Sequence, residues 1–322
     1  MKTISIVIPL FNEQLVVEEL VSRLKRALTS KKYNFEFVMV DDGSLDLTLE
    51  KLLEAQKNDP RIKIIRLSRN WGHQNAFNAG LDYIDGDAVI FMDGDLEDPP
   101  EIIPKLIEKW EEGFMIVSTS KKSRQRTNFE KILFNLFYSL LQRFSNVKVE
   151  RQSGMFSLLD RKAYEQMRSC REKNKFYVGL RNFLGLKQTV ILYDRQKRFA
   201  GKPKQTLGSL LNYALNALFS FSFIPIRILT YFGLFLIGII AIISIFLIVG
   251  KLSSIPFWYF EAVRQLPGWI SIILLILFVL AIQIIFLGVL GEYIARIFDE
   301  VRQRPYYVVE EVYVIDSKDK GK

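Results

Sequence analysis

An apolar run, Ala88-Val-Ile-Phe-Met92, ends at two carboxylates one residue apart, Asp93 and Asp95. If the run is a buried strand, both side chains emerge at its carboxyl end, where open α/β sheets bind their ligands. Two carboxylates placed in this way can bind one divalent cation, and the cation can bind a phosphate. The alternative is a solvated turn that closes the strand, because Asp-x-Asp is a common pattern.

A second acidic pair, Asp41 and Asp42, follows another apolar run at residues 35–40. Gly43 and Ser44 then turn the chain into a predicted helix. Two strand ends that both carry paired acids favour a ligand site over two unrelated turns.

The single histidine, His73, and the single cysteine, Cys170, limit the chemistry. They exclude histidine triads, multi-histidine zinc sites and an intramolecular disulfide framework. A metal site must therefore use oxygen ligands, which favours Mg²⁺ or Mn²⁺. His73 itself, like Trp71, is interpreted as a packing or loop residue.

The elements that position these acids follow from periodicity. Short apolar runs predict strands at residues 4–9, 35–40, 62–67, 88–92 and 115–118. Apolar residues at helical spacing predict intervening helices at residues 15–28, 45–56, 75–84 and 102–110. This alternation predicts an α/β domain with a largely parallel sheet and helices on both faces.

Two long apolar segments, residues 228–250 and 266–291, contain no Asp, Glu, Lys, Arg or His. Each exceeds the roughly 20 residues that cross a bilayer core, so both predict transmembrane helices. The alternative is a buried helical hairpin in a soluble protein. Lys and Arg collect before the first segment and after the second, so we expect the α/β domain and both termini to be cytoplasmic, at an inner or plasma membrane. The first apolar run, residues 4–11, is too short for a signal peptide.

The net charge of +9 is unevenly distributed, since no carboxylate occurs between Asp194 and Glu261. A cationic segment that leads into a membrane predicts contact with anionic headgroups or a phosphorylated lipid. Residues 129–144 and 207–223 have apolar residues at helical intervals and predict interfacial helices. Nucleic acid is not a predicted partner, because the basic residues lie beside the apolar segments rather than on a soluble face.

Three segments read Ile6-Val-Ile-Pro9-Leu-Phe-Asn12-Glu13, Val40-Asp41-Asp42-Gly43-Ser44 and Asp93-Gly-Asp95-Leu-Glu97-Asp-Pro-Pro100-Glu. In order and spacing they resemble the family 2 glycosyltransferases of the GT-A fold. Leu67-Ser-Arg-Asn70-Trp-Gly72-His-Gln, the two apolar segments and Gly288-Val-Leu-Gly-Glu292-Tyr-Ile-Ala-Arg296 are similar to the polyprenyl-phosphate group of that family. This group includes dolichyl-phosphate mannose synthase and the bacterial undecaprenyl-phosphate glucosyl and aminoarabinosyl transferases.

The resemblance implies roles for the residues at matching positions. The nucleotide base and ribose would be lined by Pro9, Asn12, Glu13, Asp41 and, beside them, Asp42. The metal would be bound by Asp93 and Asp95, with Glu97 as a further oxygen ligand. The acceptor phosphate would lie near the basic segment of Arg198, Gly201 and Lys204. Asp93, Asp95 and Arg198 would take part in catalysis.

Some of these positions keep alternative interpretations. Asn12 and Glu13 alternatively begin the following helix, because Asn is a favoured cap. Arg198 and Lys204 alternatively contact only lipid headgroups. Glycines in the two apolar segments also allow packing against neighbouring subunits.

Several positions depart from the family pattern. Gln152 and Ser157 stand where the family often has an Asp, which is a candidate base, and an Arg. Glu150 is an alternative base, although a solvated acid is the simpler interpretation. A monoester phosphate has a second pKa of about 6, so its oxygen is largely anionic at neutral pH and can attack without a base. The segment 201–204, Gly-Lys-Pro-Lys, replaces the usual Gly-Glu-Ser-Lys.

We therefore predict a membrane enzyme that transfers one sugar from a nucleotide diphosphate sugar, UDP before GDP, to a polyprenyl phosphate such as undecaprenyl phosphate, with inversion. The predicted organisation is a catalytic domain at residues 1–194, a basic interfacial segment at 195–227, two spans within 228–291 and a cytoplasmic tail at 292–322. The alternatives are a degenerate scaffolding or lipid-binding domain, a metal-dependent phosphohydrolase and a processive polysaccharide synthase. The last normally needs a Gln-x-x-Arg-Trp motif, which this sequence lacks.

Overall fold

The computed structural model describes residues 1–121, 153–170, 175, 177–194, 196, 199, 231–236, 238–239, 241–242, 245 and 268–315. Its strands are β1 (Lys2–Leu10), β2 (Tyr33–Asp41), β3 (Ile62–Leu67), β4 (Ala88–Phe91), β5 (Ile116–Lys121), β6 (Ser153–Asp160), β7 (Gln188–Tyr193) and β8 (Val309–Tyr313). Its α-helices are α1 (Val17–Ala27), α2 (Thr48–Asn58), α3 (His73–Asp82), α4 (Ile103–Glu111), α5 (Arg161–Ser169), α6 (Tyr177–Phe183) and α7 (Gly268–Val301). A short 3₁₀ helix, Pro100–Ile102, precedes α4.

The described strands form one eight-stranded sheet in the order β7-β5-β6-β4-β1-β2-β3-β8. Its centre is parallel, because β1 pairs in parallel with both β2 and β4, and β2 pairs in parallel with β3. The predicted βαβ series is confirmed, since every predicted strand and helix of residues 4–118 is present with small changes in its bounds.

The central strands are apolar along their length because helices cover both faces of the sheet. β1 is buried from Ile4 to Leu10, and β4 is buried at every position. α1 turns Val17, Leu20, Val21 and Leu24 into this core, at the spacing of one helix face. The loops at the carboxyl ends of the strands are therefore held on a rigid support.

The periodicity does not predict three strands toward the two sides of the sheet, which are β6, β7 and β8. β6 is antiparallel to both β4 and β5, and β8 is antiparallel to β3. β8 comes from the region predicted as a C-terminal tail. Gln56 holds it in place, because its Nε2 donates to the carbonyls of Ile62 and Tyr313 at 2.9 and 2.8 Å. The sheet thus uses residues from both sides of the apolar segments in the chain.

The chain divides into two compact units, Met1–Ala214 with Arg304–Lys322, and Leu215–Gln303. The second unit contains α7, whose part Phe278–Val301 is long and apolar enough to cross a membrane by length and composition. Among the described residues, this is the one helix that meets that test. α7 continues beyond the predicted end of the second span at Gly291.

The two-helix hairpin stays a prediction, because most of residues 228–250 lie outside the described part of the chain. The predicted interfacial helices at 129–144 and 207–223 also lie outside it.

Candidate active site

The predicted nucleotide and metal residues lie at one edge of the sheet. β4, β1 and β2 are parallel neighbours, so their carboxyl ends lie side by side. Pro9 is buried within β1, Asn12 and Glu13 follow that strand, Asp41 ends β2, and Asp93 follows β4. Parallel α/β sheets bind ligands at this edge, so the placement agrees with the site predicted from spacing.

The turn after β4 is held in an unusual conformation by close packing. A Cβ on Gly94 would lie 2.4 Å from Cδ2 of Leu10, so glycine is needed between the two acids. Leu96 is fully buried and has a φ of 59°, which is rare for any residue with a side chain. Asp95 closes the turn by accepting a 3.1 Å hydrogen bond from the N–H of Glu97. Backbone strain of this kind clusters at functional loops.

Asp93, Asp95 and Glu97 are all partly exposed at this edge. Within the described part of the chain, no three Asp, Glu, His or Cys side chains form a group that could hold a metal ion. The three-carboxylate site that includes Glu97 is therefore not preformed. Two carboxylates are sufficient where substrate phosphates and water complete the coordination of Mg²⁺. The donor set fits Mg²⁺ or Mn²⁺ bound together with a diphosphate.

The imidazole of His73 also reaches this turn, with its Nε2 2.8 Å from Oδ1 of Asp93. His73 is the first residue of α3, and Phe77 packs edge-on against its ring. Burial opposes protonation of the ring, but the charges of Asp93, Asp95 and Asp42 raise the pKa of His73. The sequence predicted a packing or loop role for His73 and did not predict its contact with Asp93. The available signal was the position of His73 after β3, whose carboxyl end lies at the same sheet edge.

The loops that follow β1 and β2 are tied together by five hydrogen bonds between residues 12–14 and 44–48. Asn12, at a φ of 50°, accepts a 2.8 Å hydrogen bond from the N–H of Leu45 through its side chain. α1 begins at Val17 and has no side-chain cap. The alternative in which Asn12 caps that helix is therefore wrong, and Asn12 instead joins the two loops.

Asp41 is a fully buried acid at the end of β2. Its Oδ1 accepts a 3.1 Å hydrogen bond from the N–H of Ser44, and its Oδ2 is buried with no hydrogen-bond partner among the described residues. Burial raises the pKa of Asp41. A buried acceptor without a donor is costly, so Oδ2 is suited to accept a hydrogen bond from a ligand.

Asp42 has a different role from Asp41. Its two oxygens accept hydrogen bonds from the N–H groups of Trp71 and Gly72 at 2.7 and 3.0 Å. Burial raises the pKa of Asp42 to about 6 against these hydrogen bonds. Asp42 therefore fixes the loop that presents His73. Its predicted place beside the nucleotide residues stays a prediction.

A third buried acid, Asp98, lies beneath the turn after β4. The hydroxyl of Tyr193, the last residue of β7, donates a hydrogen bond to it. Burial and the charge of Asp93 raise the pKa of Asp98 to about 6, while Lys121 and the Tyr193 hydrogen bond oppose the rise. The sequence pattern did not single out either Asp98 or Tyr193, because each reads as an ordinary residue next to a strand end.

The predicted acceptor residues lie outside the described part of the chain, as do the positions considered for a base: Arg198, Gly201, Lys204, Gln152 and Glu150. Ser157, the other departure from the family pattern, is fully buried in β6, and its hydroxyl donates to the carbonyl of Met155 at 2.9 Å. Ser157 is therefore a packing residue of the sheet.

The mostly parallel sheet, with acids after β2 and β4 on either side of β1, is an α/β architecture that agrees with the predicted GT-A fold. The family model described as "Glycosyl transferase family 2" matches residues 5–168. The chain belongs to glycosyl transferase family 2. The predicted fold class of the catalytic part is thus confirmed by the sheet and by this match.

Two relatives are similar over nearly the whole chain. The "Uncharacterized glycosyltransferase YkcC" of Bacillus subtilis is 39% identical over 317 residues, which cover 98% of this chain and 95% of the relative. The "SfII prophage-derived bactoprenol glucosyl transferase" of Shigella flexneri is 36% identical over 308 residues, which cover 95% of this chain and 97% of the relative.

Among solved structures, the chain is similar to glucosyl-3-phosphoglycerate synthase from Mycobacterium tuberculosis in complex with Mn²⁺, UDP and glucosyl-3-phosphoglycerate. The identity is 17%, the TM-score is 0.46, and the match covers 68% of this chain and 79% of that one.

Proposed function

We propose that this protein is a membrane glycosyltransferase that moves one sugar from a nucleotide diphosphate sugar to a polyprenyl phosphate, with inversion at the anomeric carbon. The observation that carries the proposal is that the acids after β4 share one sheet edge with Oδ2 of Asp41, which is buried without a hydrogen-bond partner in the described part of the chain. Relatives of nearly equal length are named bactoprenol glucosyl transferases, which supports a lipid phosphate acceptor and a glucosyl donor.

Each part of the site has a chemical task in this reaction. Asp93 and Asp95 would hold a Mg²⁺ or Mn²⁺ ion, which when bound would stabilise negative charge on the diphosphate leaving group. Asp41 accepts a hydrogen bond from the nucleoside. The acceptor phosphate oxygen forms the new bond to the anomeric carbon. At the same time the bond between that carbon and the diphosphate oxygen breaks, and the electron pair of the broken bond leaves with the diphosphate. Because the acceptor oxygen is already anionic near neutral pH, the main requirement is alignment.

The sheet supports the proposed membrane topology. β7 precedes the apolar segments and β8 follows them, yet both strands belong to one sheet. A sheet lies on one side of a bilayer, so the chain between Tyr193 and Val309 crosses an even number of times. α7 accounts for one crossing, and residues 228–250 are the apolar segment available for the other. We therefore retain two spans, with the catalytic domain and both termini cytoplasmic.

Labelling of single cysteines tests the topology. In a Cys170→Ser background, a membrane-impermeant thiol reagent added to intact cells should label Ser254→Cys, between the spans, and should not label Lys322→Cys. Labelling of both positions, or of Lys322→Cys alone, would contradict the arrangement.

The function is tested by incubating purified protein with undecaprenyl phosphate, Mg²⁺ or Mn²⁺ and single nucleotide sugars, UDP-glucose first and GDP-sugars next. Mass analysis of the lipid should reveal the added mass of one sugar. Asp95→Asn should abolish the product, because one carboxylate of the metal pair is lost. Asp85→Asn, the same change in the exposed turn before β4, is the control and should transfer normally.

The products separate the remaining alternatives. Free sugar phosphate or free phosphate without glycolipid would indicate a phosphohydrolase. Failure to bind any nucleotide sugar with either metal would indicate a degenerate domain, and a lipid with many added sugars would indicate a processive synthase.

A further inference from the structure

The chain that leaves β7 is bonded directly to the turn that carries the metal acids. The backbone N–H of Gln196 donates a 3.1 Å hydrogen bond to the carbonyl of Glu97. Three residues earlier, the hydroxyl of Tyr193 donates to the carboxylate of Asp98, which is 2% exposed. Consecutive residues of the turn after β4 therefore bind two points on the chain after β7.

Arg23 of α1 adds a third connection between the same two segments. Its Nε donates to Oε1 of Glu101 at 2.9 Å, and its Nη1 donates to the side-chain oxygen of Gln196 at 3.0 Å. Glu101 lies in the 3₁₀ helix that follows the metal turn. The hydrogen bond from Arg23 lowers the pKa of Glu101, so the pair stays ionised near neutral pH. One guanidinium thus joins the metal turn to the chain after β7.

The contacts of Arg23 with Glu101 and Gln196 do not belong to the hydrophobic core. They border an open, polar cavity of 480 Å³ between α1, the 3₁₀ helix and residues 194–196. A single ion pair at the protein surface contributes little to stability. Arg23 instead uses three of its donors in fixed directions on two acceptor residues, as a planar guanidinium permits and a lysine does not. The arrangement suits the fixing of a position better than the strengthening of the fold.

The contacts of Arg23, Glu101 and Gln196, with the hydrogen bond from Tyr193 to Asp98, are called the tether here. The tether lies immediately before the predicted acceptor segment. Arg198 follows Gln196 by two residues, and the chain spans at most about 3.6 Å per residue. The position of Gln196 therefore limits where Arg198 can lie. In the proposed reaction, this segment binds the acceptor phosphate while the metal turn binds the donor diphosphate.

We propose that Arg23, with Glu101 and Gln196, is a positioning device that sets the acceptor-binding segment against the metal turn. Arg23 touches neither substrate, and Tyr193 with Asp98 forms the second, buried half of the same tether. The inference rests on the proposed function for its choice of acceptor. Its direct consequence is that breaking the tether weakens use of the lipid phosphate and leaves donor binding intact.

Arg23→Gln is the first test, because an amide cannot hold Glu101 and Gln196 together. We expect the KM for polyprenyl phosphate to rise about tenfold, equivalent to about 1.4 kcal/mol, with the KM for the nucleotide sugar changing less than twofold. Glu101→Gln should give the same selective effect. Unchanged binding of nucleotide with Mn²⁺ reports that either variant is folded. Equal changes in both KM values, or no change in either, would overturn the proposal.

Arg26→Gln is the matched control. Arg26 lies on the same helix, borders the same cavity and pairs with Glu19. Among the described residues it makes no hydrogen bond to either tethered segment, and its side chain is 66% exposed. Both KM values should stay unchanged in this variant. A rise in the acceptor KM equal to that of Arg23→Gln would mean that general loss of charge at the cavity is responsible, and would overturn the role of Arg23.

Amide hydrogen exchange tests the tether without any activity. The N–H of Gln196 should exchange faster in Arg23→Gln than in the unaltered protein, and it should be unaffected in Arg26→Gln. If the unaltered protein transfers no sugar to polyprenyl phosphate, the proposed function fails, yet this comparison still decides the tether. Equal exchange at Gln196 in all three proteins would overturn it.

Discussion

Nε2 of His73 lies 2.8 Å from Oδ1 of Asp93, so the first residue of α3 directly orients the first acid of the metal turn. The two residues come from the loops after β3 and β4, which are separated in the sheet by β1 and β2. The loop that carries His73 is in turn held by Asp42, through the N–H groups of Trp71 and Gly72. The acids at the ends of β2 and β4 therefore act as one connected unit.

Removal of this imidazole should weaken metal binding. A partner that orients a ligating carboxylate typically contributes 10–100-fold in metal affinity, so we expect His73→Ala to raise the Kd for Mn²⁺, measured with UDP present, by about tenfold or more. Gln74→Ala, at the next position of α3, is the control and should bind Mn²⁺ normally. An unchanged Kd in His73→Ala would mean that the contact with Asp93 does not orient it for the metal.

Asp41→Asn should impair nucleotide binding more than folding. In the variant, an amide group takes the place of one carboxylate oxygen, and an N–H or O–H of the nucleoside then loses its acceptor. An unsatisfied buried donor costs about 1–3 kcal/mol, so the Kd for UDP should rise about tenfold, as calorimetry can measure.

The thermal midpoint of Asp41→Asn should not fall. Burial disfavours the charged form of Asp41 and raises its pKa, and the variant replaces this acid by a neutral amide. A variant with lower stability and normal UDP affinity would contradict the role given to Oδ2. Asp85→Asn serves again as the control for the chemical change.

The parallel part of the fold was predictable from the sequence because strands buried on both faces are apolar along their length, as β1 and β4 are. β8 was not predictable in this way, since Val309–Tyr313 contains two consecutive acids and pairs on one side only. Its place depends on Gln56, whose side chain binds a carbonyl more than 250 residues away in the chain. No local pattern encodes such a contact.

The site was predictable to a similar depth. Asp41, Asp93 and Asp95 were found because they follow apolar runs, and runs that end at the same sheet edge bring their acids together. His73 and Asp98 were missed because their partners, Asp93 and Tyr193, are joined to them only by the fold. The different tasks of Asp41 and Asp42 likewise depend on which backbone groups reach each carboxylate.

Asp42 should make stability fall as pH rises from about 4 to 6. Its pKa is raised from 3.8 to about 6 in the fold, so between these values the folded protein holds a proton that the unfolded chain has released. The free energy of unfolding therefore decreases through this interval and becomes level above it. Asp42→Asn lacks this titration.

Thermal unfolding of the detergent-solubilised protein from pH 4 to 7 measures this effect. As pH rises to about 6, the midpoint of the unaltered protein should fall relative to the midpoint of Asp42→Asn. A difference that does not vary with pH would contradict the raised pKa of Asp42.

Gly43→Ala should displace the loop that presents His73. Gly43 has a φ of +69°, and a Cβ there would lie 2.4 Å from the carbonyl carbon of Arg69. The strained backbone alone costs about 1–3 kcal/mol, and the overlap adds to it by pushing on the backbone of the loop. We expect a lower thermal midpoint together with weaker binding of Mn²⁺ and UDP, since Asp42 and His73 both depend on that loop.

Gly113→Ala separates the two contributions. Gly113 also has a positive φ, of +86°, but its nearest group is the Nζ of Lys187 at 3.9 Å, and it lies in the turn after α4, away from the acids. This variant should lose stability through strain and keep its affinity for Mn²⁺ and UDP. If Gly43→Ala lost no more stability than Gly113→Ala and bound both ligands normally, the loop after β3 would not depend on its contact with Gly43. The link from Asp42 to His73 would then have to be maintained by the hydrogen bonds to Trp71 and Gly72 alone.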